Sequence, residues 1–175
     1  MEPIVYERFI TIINNIVGDD KWIITGASAI IAWAKICNIH VPDNITTNNI
    51  DIFYLHNTLI TVKSINNFTR KQESPCSSVT YTNPNYKDIN LTLKRTSTKY
   101  IDFHGFKLMA PTTLKLYYEE ENDDFEESPT SKIKYDIIQE IISQMPQLPI
   151  KTMYLNYSEP LISNEPCAKQ LFVSN

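Results

Sequence analysis

The sequence predicts an α/β domain of the α+β kind, with a small mixed sheet flanked by helices. Three observations carry that prediction. Trp22 to Thr25 is a short apolar run that meets a Gly26-Ala27-Ser28 turn and continues to Ile36 as a stretch apolar on nearly every side, which requires a buried helix. Asn49 to Leu55 then switches to period two: Ile50, Ile52 and Tyr54 alternate with Asn49, Asp51 and Phe53, so Asn49 and Asp51 share one face of a strand. Tyr86 to Lys94 and Lys99 to Leu108 have the alternation and the β-branched and aromatic content of further strands.

Each element has its own local reason. Pro3 to Val17 sets Ile4, Val5, Phe9, Ile12, Ile13 and Ile16 at three-and-four spacing, with Pro3 suited to a first helical turn and Gly18 to an end. Asp19 and Asp20 turn the chain into the Trp22 strand, and Gly26 supplies a backbone conformation that other residues resist. Ser28 is placed either to cap or open the next helix, or to hold an anion together with the unpaired amides around it. The Asn49 to Leu55 strand is expected at the centre of the sheet, with Asn49 and Asp51 on the same side as Ser28. Leu59, Val62, Ile65 and Phe68 recur every three residues and predict a helix lying over the sheet.

Ser78 to Thr82 is a short strand candidate in a polar stretch between Pro75 and Pro84, and His104-Gly105 marks a turn inside Lys99 to Leu108. The sheet should therefore have about four or five strands. Pro111 opens a helix through Tyr117, and the acidic run Glu119 to Glu127 reads as a solvated loop or helix end. Ser131 is placed to cap a helix over Lys132 to Met145, whose apolar stripe is Ile133, Ile137, Ile138, Ile141 and Ile142. The domain thus spans residues 1–145. Four prolines, Pro146, Pro149, Pro160 and Pro166, punctuate residues 146–175, read as an irregular tail packed on the domain through Tyr154, Leu155 and Leu161.

Composition narrows the function classes. A chain of 175 residues with 42% hydrophobic and 21% charged residues suits one soluble globular domain. Its net charge of −4 disfavours broad nucleic-acid binding, which leaves a basic footprint. The three cysteines are odd in number and form no Cys-x-x-Cys pair, so neither a disulfide framework nor a zinc knuckle is indicated. With an opening Met-Glu-Pro that lacks the pattern of a secretory signal, the expected setting is intracellular, cytoplasmic and reducing. Trp22 to Ile36, about 15 residues broken by Thr25, Gly26, Ser28 and Lys35, falls short of the ~20 needed to span a bilayer, so no membrane contact is expected.

A strand, a Gly-x-Ser turn, a helix and a second strand carrying a spaced pair of polar residues resembles the core of the polymerase-beta-like nucleotidyltransferase superfamily. The likeness is closest to its small abortive-infection and toxin–antitoxin members. Gly26-Ala27-Ser28-Ala29 stands where these have Gly-Gly-x-Ala, and Thr47-Asn48-Asn49-Ile50-Asp51-Ile52 where they have Thr-x-Asp-hydrophobic-Asp-hydrophobic. Asp88-Ile89-Asn90-Leu91, Phe103-His104-Gly105-Phe106, Pro111-Thr112-Thr113-Leu114-Lys115 and Lys132-Ile133-Lys134-Tyr135-Asp136 follow the family's downstream order, so the resemblance covers most of residues 20–142.

The resemblance implies a nucleotidyltransferase-like fold and a division of labour. Gly26, Ser28 and Lys134 would bind a nucleoside triphosphate. Asp51 and Asp88 would be catalytic, and together with Asn49 would hold magnesium, with either Asp88 or Asn90 in the third site position. Active members use carboxylates on two metal ions to transfer a nucleoside monophosphate to a hydroxyl. Asn49 replaces the first of those carboxylates and removes a negative charge that magnesium prefers. The resulting expectation is a degenerate metal site, weak or lost, in a protein that binds a nucleotide or a protein partner. An active transferase is the first alternative, and an unrelated small α/β interaction domain the second.

Other chemistries are thinner. Thr25-Gly26-Ala27-Ser28 is also similar to the opening of a short-chain dehydrogenase, but Ile30 and Ile31 occupy the place of the glycines its dinucleotide loop needs. His40, His56 and His104 are isolated and lack metal-ligand spacing. Lys94, Arg95 and Lys99 are either contacts for a triphosphate or the solvated end of a hairpin.

Overall fold

The period-two run at Asn49 becomes the middle strand of the molecule. The computed structural model describes residues 3–60, 62–71, 78–121 and 129–155. In chain order the elements are α1 (Pro3–Val17), β1 (Trp22–Ile24), α2 (Gly26–Ile36), β2 (Asn49–Leu55), β3 (Ser64–Ile65), β4 (Phe68–Lys71), β5 (Ser78–Thr82), β6 (Asp88–Lys94), β7 (Thr98–Phe103), β8 (Phe106–Met109), α3 (Pro111–Glu121), α4 (Pro129–Gln144) and β9 (Lys151–Met153). The strands form one mixed sheet in the order β3-β4-β5-β6-β2-β1-β8-β7-β9, so β2 lies fifth of nine. β2 runs parallel to β6 and antiparallel to β1, and β1 runs parallel to β8; every other neighbouring pair is antiparallel. This is an α+β domain, as the sequence predicts, with a larger sheet than expected.

The extra strands correct two readings. Leu59 to Phe68 does not form a helix: β3 and β4 make a hairpin in which Ile65 pairs with Phe68. Asn66 and Asn67 connect them with φ of 48° and 68°, the left-handed pair of a type I′ turn, for which asparagine is well suited. Phe68 enters the core while Val62 is exposed, so the three-residue recurrence was no buried stripe. The second correction concerns the tail, which is not irregular throughout: Lys151 to Met153 add β9 to β7 at the sheet edge. Leu155 is buried as expected and Tyr154 is exposed. Leu161, together with residues 122–127 of the acidic run, lies outside the described residues.

Side-chain alternation gives the sheet two covered faces. On one, Phe9 of α1 meets Trp22 edge-on at 6.2 Å and stacks with Phe106 at 6.3 Å. On the other, α3 and α4 pack against each other over the Asp51 and Phe53 side of β2, with Leu114, Ile138 and Ile141 fully buried. α2 packs against β2 and α4, and Trp33, fully buried, donates its indole N–H to the Met109 carbonyl at 2.9 Å. Among the described residues no helix is long and apolar enough to cross a membrane.

Candidate functional site

β1 delivers the chain to a tight corner. Thr25 is extended, its N–H bonds the Asp51 carbonyl at 2.9 Å, and it occupies the N-cap of α2 without using its side chain as a cap. Gly26 follows at φ +60°, and a Cβ built there would meet Asp51 Oδ2 at 3.0 Å. The glycine therefore does two things at once: it takes a left-handed conformation at the helix start and leaves room for the Asp51 carboxylate against the backbone.

Ser28 lies in the first turn of α2, but its hydroxyl neither caps the helix nor points at the Asp51 side chain. Ser28 Oγ donates to the Asn49 carbonyl at 3.2 Å and accepts from the Asp51 N–H at 3.1 Å. It is thus a clamp between α2 and the β2 backbone. Its side chain also lines a separate cavity, so Asp51 and Ser28 do not share a site face.

The β2–β6 register places the carboxylate and amide candidates. Asn49 lies beside Asp88, Asp51 beside Asn90 and Phe53 beside Thr92, all on one sheet face. Asn90 is therefore the immediate neighbour of Asp51. Its amide donates to Asp51 Oδ1 at 3.4 Å, while its carbonyl oxygen accepts from Thr80 Oγ1 at 3.2 Å, making a polar row across three strands. Asp88 sits one register step away, level with Asn49. The Asn49 side chain accepts from Thr47 Oγ1 at 2.9 Å, which holds it back toward the preceding loop.

Over this row α3 and α4 close a cavity of about 340 Å³. Asp51 and Phe53 form its floor with Thr92, Thr25 and Gly26 line one side, and Tyr117, Tyr118, Ser131 and Lys134 come from the helices. Burial pushes the Asp51 carboxyl above its ordinary value, opposed by the Asn90 hydrogen bond and by the positive charge of Lys134. Of the residues singled out in the sequence, Gly26, Asp51 and Lys134 thus converge; Asn49, Asp88 and Ser28 do not line this cavity.

Other contributors were read differently in the sequence or not singled out there. Ser131 is not an N-cap, because α4 begins earlier, at Pro129, and its side chain turns to the cavity instead. Tyr117 reaches the cavity beside Phe53, the ring centroids 5.9 Å apart. Lys94, at the far end of the same β6 face, donates to the Tyr117 hydroxyl and lies over the Phe53 and Tyr117 rings at 5.4 and 4.9 Å. It is buried behind the cavity wall, whereas Arg95 alternates to the opposite face, 2% exposed, where its charge acts on Tyr54. Only Lys99 is solvated. The signal for Lys94 was legible in the alternation Asp88, Asn90, Thr92, Lys94.

Comparison with family models, with curated proteins and with solved structures finds no match. The chemistry of the site therefore rests on its own donors. A pair of divalent cations needs several hard, charged oxygens. Among the described residues one carboxylate lines the cavity, it already accepts from Asn90, and a lysine shares the space. Among the described residues no group of three or more His, Cys, Asp or Glu is arranged to hold a metal ion. This donor set does not fit a two-metal centre. It offers instead one hydrogen-bond-accepting anion, one cation, hydroxyls and three aromatic rings.

Proposed function

We propose that this chain is a nucleotide-binding domain of nucleotidyltransferase-like architecture with a degenerate metal site, which holds a nucleotide between the sheet and α3–α4 without transferring it. The observation that carries the reading is the convergence of Asp51 and Lys134, distant in sequence, on one cavity beside the Gly26 corner. Lys134 supplies a charge for a phosphate, and Asp51 an acceptor for ribose hydroxyls or a base amino group. The rings of Phe53, Tyr117 and Tyr118 supply apolar walls for a base. The order of strand, glycine turn, buried helix and aspartate-bearing middle strand supports the nucleotidyltransferase likeness.

The test is direct titration of the full chain with each of the four ribonucleoside triphosphates, first in EDTA and then with magnesium or manganese. Binding is expected in EDTA and should weaken about tenfold or more in Lys134→Ala, the effect of losing a charge-assisted contact. Absence of nucleotide binding by a folded protein overturns the proposal in favour of an interaction domain. Transfer of labelled nucleoside monophosphate that disappears in Asp51→Ala overturns it in favour of an active transferase.

A further inference from the structure

A second cavity, of about 500 Å³, lies between α1, α2 and the strands β1, β2, β7 and β8, and shares no lining residue with the first. Its volume is that of a small-molecule site, roughly 300–1,000 Å³. Its walls are apolar: Phe9, Ile31, Ile50, Phe103 and Leu108 all turn toward it. The first four are only partly buried by the rest of the fold, so they present apolar surface to the space. The charge on this lining is of one sign. Lys35 and Lys87 both line the cavity, and among the described residues no Asp or Glu does. Lys87 Nζ is held by the Thr47 carbonyl at 3.1 Å, and among the described residues neither lysine is ion-paired. In a chain of net charge −4, an apolar cavity whose charges, among the described residues, are two cations without an ion-pair partner has a specific complement.

We infer that this cavity binds an amphipathic carboxylate, an unbranched aliphatic acid whose chain lies among Phe9, Ile31, Ile50 and Phe103 and whose head group is held by Lys35 and Lys87. The chain fits because aliphatic and aromatic walls remove its methylenes from water. The head group fits because the two lysine ammonium groups are the charged donors on the lining, while the Ser28 and Thr47 hydroxyls already donate to Asn49.

The experiment is calorimetric titration of the full chain with decanoate, 1-decanol and decyltrimethylammonium, the two ions below their micelle concentrations and the alcohol below its solubility limit. Saturable one-to-one binding of decanoate is expected, with both analogues weaker by about tenfold, and the double variant Lys35→Gln/Lys87→Gln should lose the same factor for decanoate. Ala32→Phe, which fills the cavity from α2 and leaves both lysines in place, should abolish binding in a protein whose circular dichroism is unchanged. Lys134→Ala should leave decanoate binding intact, which separates this site from the nucleotide cavity. Equal affinity for the three probes, non-saturable uptake, or no binding by the folded wild type overturns the inference, and so does preferential binding of an acidic amphipathic peptide over decanoate.

Discussion

The backbone at Gly26 and the carboxylate of Asp51 are in contact: a methyl group on Gly26 would stand 3.0 Å from Asp51 Oδ2, at a residue whose φ is +60°. Gly26→Ala therefore meets two penalties. The left-handed conformation costs an L-residue roughly 1–2 kcal/mol, and the neighbouring carboxylate must shift by a few tenths of an ångström. We expect a stability loss of about 1–2 kcal/mol in urea unfolding. Nucleotide binding should weaken further than unfolding alone explains, because Asp51 is displaced into the cavity. A variant as stable as wild type would show that the corner relaxes freely.

The Asp51 carboxyl is raised by burial, and the sign of its pH effect follows. In the folded state it keeps its proton to a higher pH than the ordinary aspartate value of about 3.9. Its contribution to stability is therefore full below that value, and it is lost as pH rises through the folded value. Above both values, ionised Asp51 is a standing cost, so Asp51→Asn should be the more stable protein at neutral pH, by roughly 0.5–1 kcal/mol, the usual gain from removing a strained functional group. The gap between variant and wild type should close as pH falls toward 4, read from thermal midpoints at fixed ionic strength. A variant less stable at pH 7 would mean that the Lys134 and Asn90 contacts outweigh burial.

What the sequence disclosed and what it hid have separate physical causes. α1, the β1 corner, the buried helix and β2 were legible because each rests on local signals: Pro3 and Gly18 at the ends of α1, a left-handed glycine, and strict alternation from Asn49. β3 and β4 were hidden because Leu59, Val62, Ile65 and Phe68 imitate a helical stripe, while the deciding feature, the Asn66-Asn67 turn, is two residues long. β9 was hidden because three residues carry no period; its existence depends on the free edge of β7. In the site, the sharing of a face by Asp51 and Asn49 followed from alternation, but the choice between Asp88 and Asn90 required the parallel register of β2 against β6, a long-range property. Ser28 misled for the same reason: its partners are backbone groups on a strand more than twenty residues away.

That clamp is itself testable. Ser28→Ala leaves the Asn49 carbonyl and Asp51 N–H without the hydroxyl that joins them, and should destabilise by about 1–3 kcal/mol. Amide exchange at Asp51 should accelerate selectively, since its N–H loses its partner. Ser28→Thr, which keeps the hydroxyl, should recover most of that protection. If exchange at Asp51 is unaffected by Ser28→Ala, water replaces the clamp and Ser28 is dispensable.

Asn49 decides how far the cavity stands from metal chemistry. It lies two residues from Asp51 on the same face and directly beside Asp88 in the parallel register. Asn49→Asp would therefore set three carboxylates along two adjacent strands, with Thr47 Oγ1 still able to donate to the new one. Without a cation their mutual repulsion should lower stability, by up to about 1 kcal/mol for partly exposed like charges, and more at low salt. Manganese should reverse that loss, because hard divalent ions prefer charged oxygens and binding only to the folded state raises its stability with ligand concentration. The measurement is the thermal midpoint of wild type and Asn49→Asp over a manganese titration at pH 7. We expect a flat line for wild type and a saturable rise for the variant, a rise that adding Asp51→Asn should remove. A saturable rise already present in wild type would show that Asn49 and a single lining carboxylate suffice for a metal, and would return the active-transferase reading to first place.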